Sequence, residues 1–307
     1  MSKKDLLSIH DLSRRDILAL ISRASDLKKH GKESEPHLKG KTLGLIFQKP
    51  STRTRVSFEA GMLQLGGNTI YLNSNDLQLS RGESVQDTAR TLSLYLDCLV
   101  ARVYSHLDLQ ALASYSQIPV INGLSDLHHP CQVLADLMTI KEHKGRLDGL
   151  RLAWIGDGNN VFNDLLAGCI KTGITVAAAI PKRYQPHASI LDYIKDGYNS
   201  KKIKFRITEE PAEVVKDADI VATDTFISIG KEDEYEIRKM IFLPKYQVNS
   251  KLMSLAKDDS IFMHCLPATR GHEVTADVID GPSSVVWDEA ENRLHIQKAL
   301  LEFLLLK

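Results

Sequence analysis

The chain has 307 residues, 39 Lys plus Arg against 39 Asp plus Glu, and 43% hydrophobic residues. That composition excludes a disordered chain and is long enough for two domains of ordinary size. Zero net charge excludes a long-range pull on nucleic acid or anionic lipid, so any anionic ligand must be captured by a local basic site.

The longest stretch without a charged residue, 109–125, contains Pro119 and Asn122 and fits no membrane span. Met1-Ser2-Lys3-Lys4-Asp5 leads into no apolar run, so a cytoplasmic location is expected. Cys98, Cys131, Cys169 and Cys265 are scattered without paired spacing, which suggests neither a disulfide framework nor a zinc site.

In chain order, residues 11–30 place Ile17, Leu20, Ile21, Ala24 and Leu27 on one helical face, with Gly31 as a stop. Apolar runs at 42–47, 68–72, 98–103 and 119–124 read as strands, separated by helical patterns such as 84–96, where Ser84 and Asp87 form a capping pair. A long helix starts at Pro130 and ends at Gly145. The rhythm then restarts with strands at 151–155, 174–180, 203–207, 220–222 and 261–263. Repeated βα units imply parallel sheets. The expected architecture is α/β, with one domain over 1–145 and a second over 146–288. The amphipathic segment 289–307 is expected to pack back on the first.

Five segments sit where such folds gather chemistry. Ser51-Thr52-Arg53-Thr54-Arg55 follows the first strand and opens a helix, whose free N–H groups and positive dipole end suit a phosphate. The plainer reading is a capped helix with solvated arginines. His128-His129-Pro130-Cys131-Gln132 opens the long helix, where His129 and Gln132 can aim donors at a carbonyl oxygen or simply cap the helix. Gly156-Asp157-Gly158-Asn159-Asn160-Val161 imitates a dinucleotide fingerprint but has Val161 at the third glycine, so Asn160 reads better as an amide donor to a small ligand. Asp224 through Gly230 and His264-Cys265-Leu266-Pro267 end two strands. Asp224 can pair with an ammonium, Cys265 can be a nucleophile or a pocket wall, and His264 and His272 read as structural or surface residues.

Taken in this order, the motifs resemble the aspartate/ornithine transcarbamylase family, and within it the ornithine enzymes, over nearly the whole chain. Ser51–Arg55 and His129–Gln132 resemble the carbamoyl-phosphate half shared across the family. Asp224–Gly230 and His264–Pro267 resemble the ornithine half. The resemblance implies transfer of the carbamoyl group of carbamoyl phosphate to the δ-amine of L-ornithine, giving L-citrulline and phosphate, with no cofactor, metal or covalent enzyme intermediate. It implies that Ser51, Thr52, Arg53 and Thr54 hold the phosphate, and that Thr54, Arg102, His129 and Gln132 meet the carbamoyl group. Asn160, Asp224, Ser228 and Ile229 would bind ornithine, with Cys265, Leu266 and Arg293 around the reacting centre. Gln78 would reach the neighbouring subunit of a homotrimer. Two positions depart from the family pattern: Ile229 stands for the usual Met, and Thr269 for a frequent His. Alternatives are another acceptor (putrescine, an N-acylated ornithine or aspartate) and, more remotely, a non-catalytic nucleotide-binding module.

Overall fold

The computed structural model describes residues 3–30, 36–197, 205–227 and 232–306. Its contacts divide the chain into two units, one of residues 1–138 with 291–307 and one of residues 139–290.

The first unit opens with α1 (Arg14–His30), then β1 (Thr42–Phe47), α2 (Thr52–Gln64), β2 (Asn68–Asn73), α3 (Val85–Leu92), β3 (Cys98–Arg102), α4 (His106–Tyr115), β4 (Val120–Leu124) and the start of α5 (Pro130–Lys144). Its four strands are parallel in the order β2-β1-β3-β4. β3 is buried along its whole length, as a strand covered on both faces must be. Ile46, Leu99, Ala101, Leu109 and Val120 meet in one apolar cluster. The face predicted for α1 is buried throughout, and Ser13 and Asp16 cap that helix reciprocally.

The second unit continues from α5 through β5 (Arg151–Ile155), α6 (Asn160–Thr172), β6 (Thr175–Ala179), α7 (Ala188–Gly197), β7 (Phe205–Thr208), α8 (Pro211–Val215), β8 (Ile220–Thr223), α9 (Tyr235–Phe242), α10 (Ser250–Met253), β9 (Ile261–His264), α11 (Ala276–Ile279) and the start of α12 (Val286–Leu305). Its five strands are parallel in the order β7-β6-β5-β8-β9. Two helices carry the chain between the units: α5 leaves the first after Met138, and α12 re-enters it at Glu291.

The class and the parallel sheets agree with the sequence reading, and the differences are local. The helix expected over 84–96 stops at Leu92, and Leu94 and Tyr95 lie exposed in the turn that leads to β3. Its cap is as predicted, with the Ser84 hydroxyl accepting from the Asp87 N–H at 3.1 Å. Pro119 drops out of β4 because it has no N–H, yet its carbonyl still accepts from Leu99. Gly31 and residues 203–204 lie outside the described residues. The last helix is fixed within the first unit by a two-pronged bond from Arg23 to Glu302 at 2.6 and 2.9 Å, and by Lys298 to Gln64 at 3.1 Å. Among the described residues, no helix is long and apolar enough to cross a membrane.

Candidate active site

Each sheet is filled outward in both directions from its first strand, so two neighbouring strands send their following loops opposite ways. That switch point is where open α/β sheets offer a crevice at their C-terminal edge. In the first unit it lies between β1 and β3, in the second between β5 and β8.

At the first switch point, Ser51 caps α2 by accepting from the Thr54 N–H at 3.2 Å. Arg53 and Arg55 part company. Arg55 turns aside to pair with Glu59 at 3.0 Å and lies 3.6 Å over the Tyr71 ring, whereas Arg53 acts on His129. Arg102 ends β3 and is buried. From α12, Arg293 donates one nitrogen to the Gln132 Oε1 at 2.6 Å and another to the Thr54 hydroxyl at 3.1 Å, while the Gln132 amide donates to Asp136 at 2.8 Å. Five predicted residues therefore converge with Arg53 in one unit, although they are spread over 240 positions of sequence: Thr54, Arg102, His129, Gln132 and Arg293. Thr52 and Gln78 lie exposed, Gln78 in the exposed polar run after β2.

His129 records the potential of this assembly. Its pKa is held well below the ordinary value of 6.5, first by burial and then by the charges of Arg293, Arg102 and Arg53. Three guanidinium groups around a neutral imidazole leave a strongly positive, dehydrated spot, which is the electrostatic requirement for binding an anion and for stabilising charge that develops on oxygen.

At the second switch point, Gly156 through Asn160 leads into α6. Gly158 is required by close approach, because a Cβ there would lie 2.5 Å from the Pro186 nitrogen. Asn160, the residue expected from the sequence, accepts from the Val161 N–H at 3.1 Å. Its neighbour Asn159, not expected from the sequence, caps α6 through its oxygen and donates its amide to Asp224 at 2.7 Å. Asp224 is buried and also accepts from the Thr225 N–H at 2.7 Å and the Cys265 thiol at 3.1 Å. Ser228 and Ile229 lie outside the described residues.

Asp157 has a partner no sequence pattern suggested. Arg238, on α9 and 1% exposed, donates to the Asp157 carboxylate at 2.6 Å, the Phe226 carbonyl at 2.9 Å and Glu234 at 2.7 Å. Burial works against its charge, and the hydrogen bonds and charges of Asp157 and Glu234 outweigh it, so its pKa is raised. Arg238 thus ties the glycine turn to the chain on both sides of residues 228–231.

Cys265 is half-buried, while Cys98, Cys131 and Cys169 are buried, as expected of small apolar side chains, and all four are free thiols. One ligand atom each from Asp224, His264 and Cys265 lie within 4.8 Å of one another, a grouping the sequence spacing did not reveal. His264 is committed elsewhere: its Nδ1 accepts from the Leu266 N–H at 2.8 Å, and its Nε2 faces Glu273 at 3.3 Å.

Comparison with known proteins matches residues 4–142 to the aspartate/ornithine carbamoyltransferase carbamoyl-P binding domain, and residues 148–304 to the Asp/Orn binding domain of the same family. The chain belongs to the aspartate/ornithine carbamoyltransferase family. It is 58% identical over 298 residues to the ornithine carbamoyltransferase of Cenarchaeum symbiosum, covering 97% of each chain. It is 54% identical over 301 residues to that of Methanosarcina mazei, covering 97% of this chain and 98% of the other. The solved ornithine carbamoyltransferase from Pyrococcus furiosus superposes with a TM-score of 0.94 at 49% identity, covering 99% of this chain and 97% of that one. The family resemblance drawn from the motifs is therefore borne out.

Proposed function

We propose that the chain transfers the carbamoyl group from carbamoyl phosphate to the δ-amine of L-ornithine, releasing L-citrulline and phosphate. The observation that carries this reading is the neutral, buried His129 among Arg53, Arg102 and Arg293, in the half of the chain that matches a carbamoyl-phosphate domain. Ser51, Thr52, Arg53 and Thr54 hold the phosphate. Arg102, His129, Gln132 and Arg293 polarise the carbamoyl carbonyl. The second half, 146–288, binds the amino acid through Asn160, Asp224, Ser228 and Ile229, with Cys265 and Leu266 lining the same amino-acid site.

The free amine attacks the carbonyl carbon, an N–C bond forms, and the oxyanion is held by donors already in place. The bond from that carbon to the bridging oxygen then breaks, and phosphate leaves carrying the electron pair. A phosphate oxygen takes the proton lost by the amine. Because a δ-ammonium resembles lysine, with a pKa of about 10.4, its neutral form is scarce near pH 7, and the rate should rise between pH 6 and 8.

Aspartate as acceptor would bring a second carboxylate, and Asp224 offers an anion where a cation would be wanted. The relatives named above are ornithine enzymes. The protein works as a cytoplasmic homotrimer in which Gln78 serves a neighbouring site. Calorimetry tests the division of labour: Arg53→Ala should abolish carbamoyl-phosphate binding, and Asp224→Ala should leave it nearly intact while ornithine turnover collapses. Equal loss of carbamoyl-phosphate binding in both variants would contradict the assignment.

A further inference from the structure

Leu266 is one of two non-glycine residues among those described whose backbone is left-handed, with φ +56°. A β-carbon disfavours that conformation roughly tenfold or more, so something must hold it. The chain turns there directly after β9, between Cys265 and Pro267, beside Asp224.

The holding bond is short and local. The Leu266 N–H donates to the His264 Nδ1 at 2.8 Å. A nitrogen that accepts carries no proton, so the neutral ring must carry its proton on Nε2. Nε2 faces the Glu273 Oε1 at 3.3 Å, and the same oxygen accepts from the Thr269 N–H at 2.6 Å. The His264 side chain is 0% exposed and that of Glu273 1%, so water is not at hand to replace either partner. The His264 N–H is itself taken by Glu289 at 3.0 Å. Thr269, a departure from the family pattern with no role suggested by sequence, enters through its backbone.

We propose that His264 and Glu273 form a positioning pair: Glu273 selects the Nε2-protonated tautomer of His264, which keeps Leu266 in its left-handed conformation and so presents Cys265 and Leu266 to the amine acceptor. This rests on the carbamoyl-transfer reading for its kinetic consequences, though not for the tautomer itself. Neither residue touches substrate. Both act through the backbone of 265–266.

The test uses four variants. Glu273→Gln keeps a carbonyl oxygen that can accept from both Thr269 and His264, so kcat/KM for ornithine should stay within about threefold of the parent. Glu273→Met removes the acceptor. It should lower that kcat/KM about ten- to a hundredfold, with the KM for carbamoyl phosphate little changed. His264→Asn should keep most of the activity, since its side-chain oxygen can accept from the N–H two residues on. Adding Leu266→Gly to Glu273→Met should recover about tenfold, because glycine takes positive φ unaided. Nitrogen NMR of histidine-labelled parent protein, with His264→Asn as the assignment control, should show His264 protonated on Nε2.

Protonation of His264 on Nδ1 would overturn the proposal, whether or not any variant folds. So would equal damage from Glu273→Gln and Glu273→Met. A parent protein that makes no citrulline would instead defeat the proposed function, and the His264 tautomer would still be decided by NMR alone.

Discussion

Replacing Arg293 separates a catalytic role from a structural one. Arg293 is buried and spans two partners, Gln132 at 2.6 Å and the Thr54 hydroxyl at 3.1 Å. Hydrogen bonds from a charged donor are worth about 1.5–3 kcal/mol each, so Arg293→Met forfeits about 3–6 kcal/mol of organisation around the carbamoyl group. If about half to all of that is expressed in the transition state, kcat/KM for carbamoyl phosphate falls about 10- to 10⁴-fold. Stability should change far less. In the empty site Arg293 shares with Arg53 and Arg102 the positive potential that acts on His129, and removing one of three like charges offsets the bonds lost. Arg293→Lys keeps the charge but lacks the two-pronged geometry, so it should fall between parent and Met variant. Steady-state kinetics and denaturant unfolding on the same samples decide the matter. If Arg293→Met loses as much unfolding free energy as transition-state stabilisation, or if Arg293→Lys is indistinguishable from the parent, the residue is a strut and the reasoning fails.

Because the folded pKa of His129 lies well below 6.5, the unfolded chain binds that proton first; this contribution to stability is present above pH 6.5 and is lost as pH falls, by at most about 1.4 kcal/mol per pH unit. Unfolding curves between pH 7 and 5 should therefore be steeper in pH for the parent than for His129→Gln, and identical slopes would contradict the assignment. Arg238→Met leaves Asp157 buried without its cation and should cost about 3–5 kcal/mol of stability, read as a lowered denaturant midpoint; a change under about 1 kcal/mol would show the pair to be dispensable. Gln78→Glu should be nearly inactive, since a carboxylate would face a phosphate dianion. Refolding it together with Arg53→Ala should restore activity in mixed trimers, and proven subunit exchange without recovered activity would exclude a shared site.

Much of the fold was readable because its signals are local. Buried parallel strands show as unbroken apolar runs, so β1 and β5 have their sequence-read bounds, and Ser84 and Pro130 mark helix starts. Residue types also pointed to the C-terminal ends of the strands as the place of the site. What was not readable is long-range pairing. Nothing near Asp157 announces Arg238, which arrives from 81 residues away. Asn159 and Asn160 are adjacent and chemically identical, and only the fold shows which one reaches Asp224. His264 looked like a surface or structural residue because its role lies in one tautomer and one backbone angle, neither of which leaves a trace in composition or spacing.

Carbamoylation of ornithine by this chain is decided by an acceptor panel. Purified protein and carbamoyl phosphate are offered L-ornithine, putrescine, an N-acylated ornithine and L-aspartate in turn, with carbamoylated product and phosphate both measured. The highest kcat/KM is expected for L-ornithine, with citrulline and phosphate formed one for one. A higher kcat/KM for any other amine, or phosphate released without carbamoylated product, would contradict it.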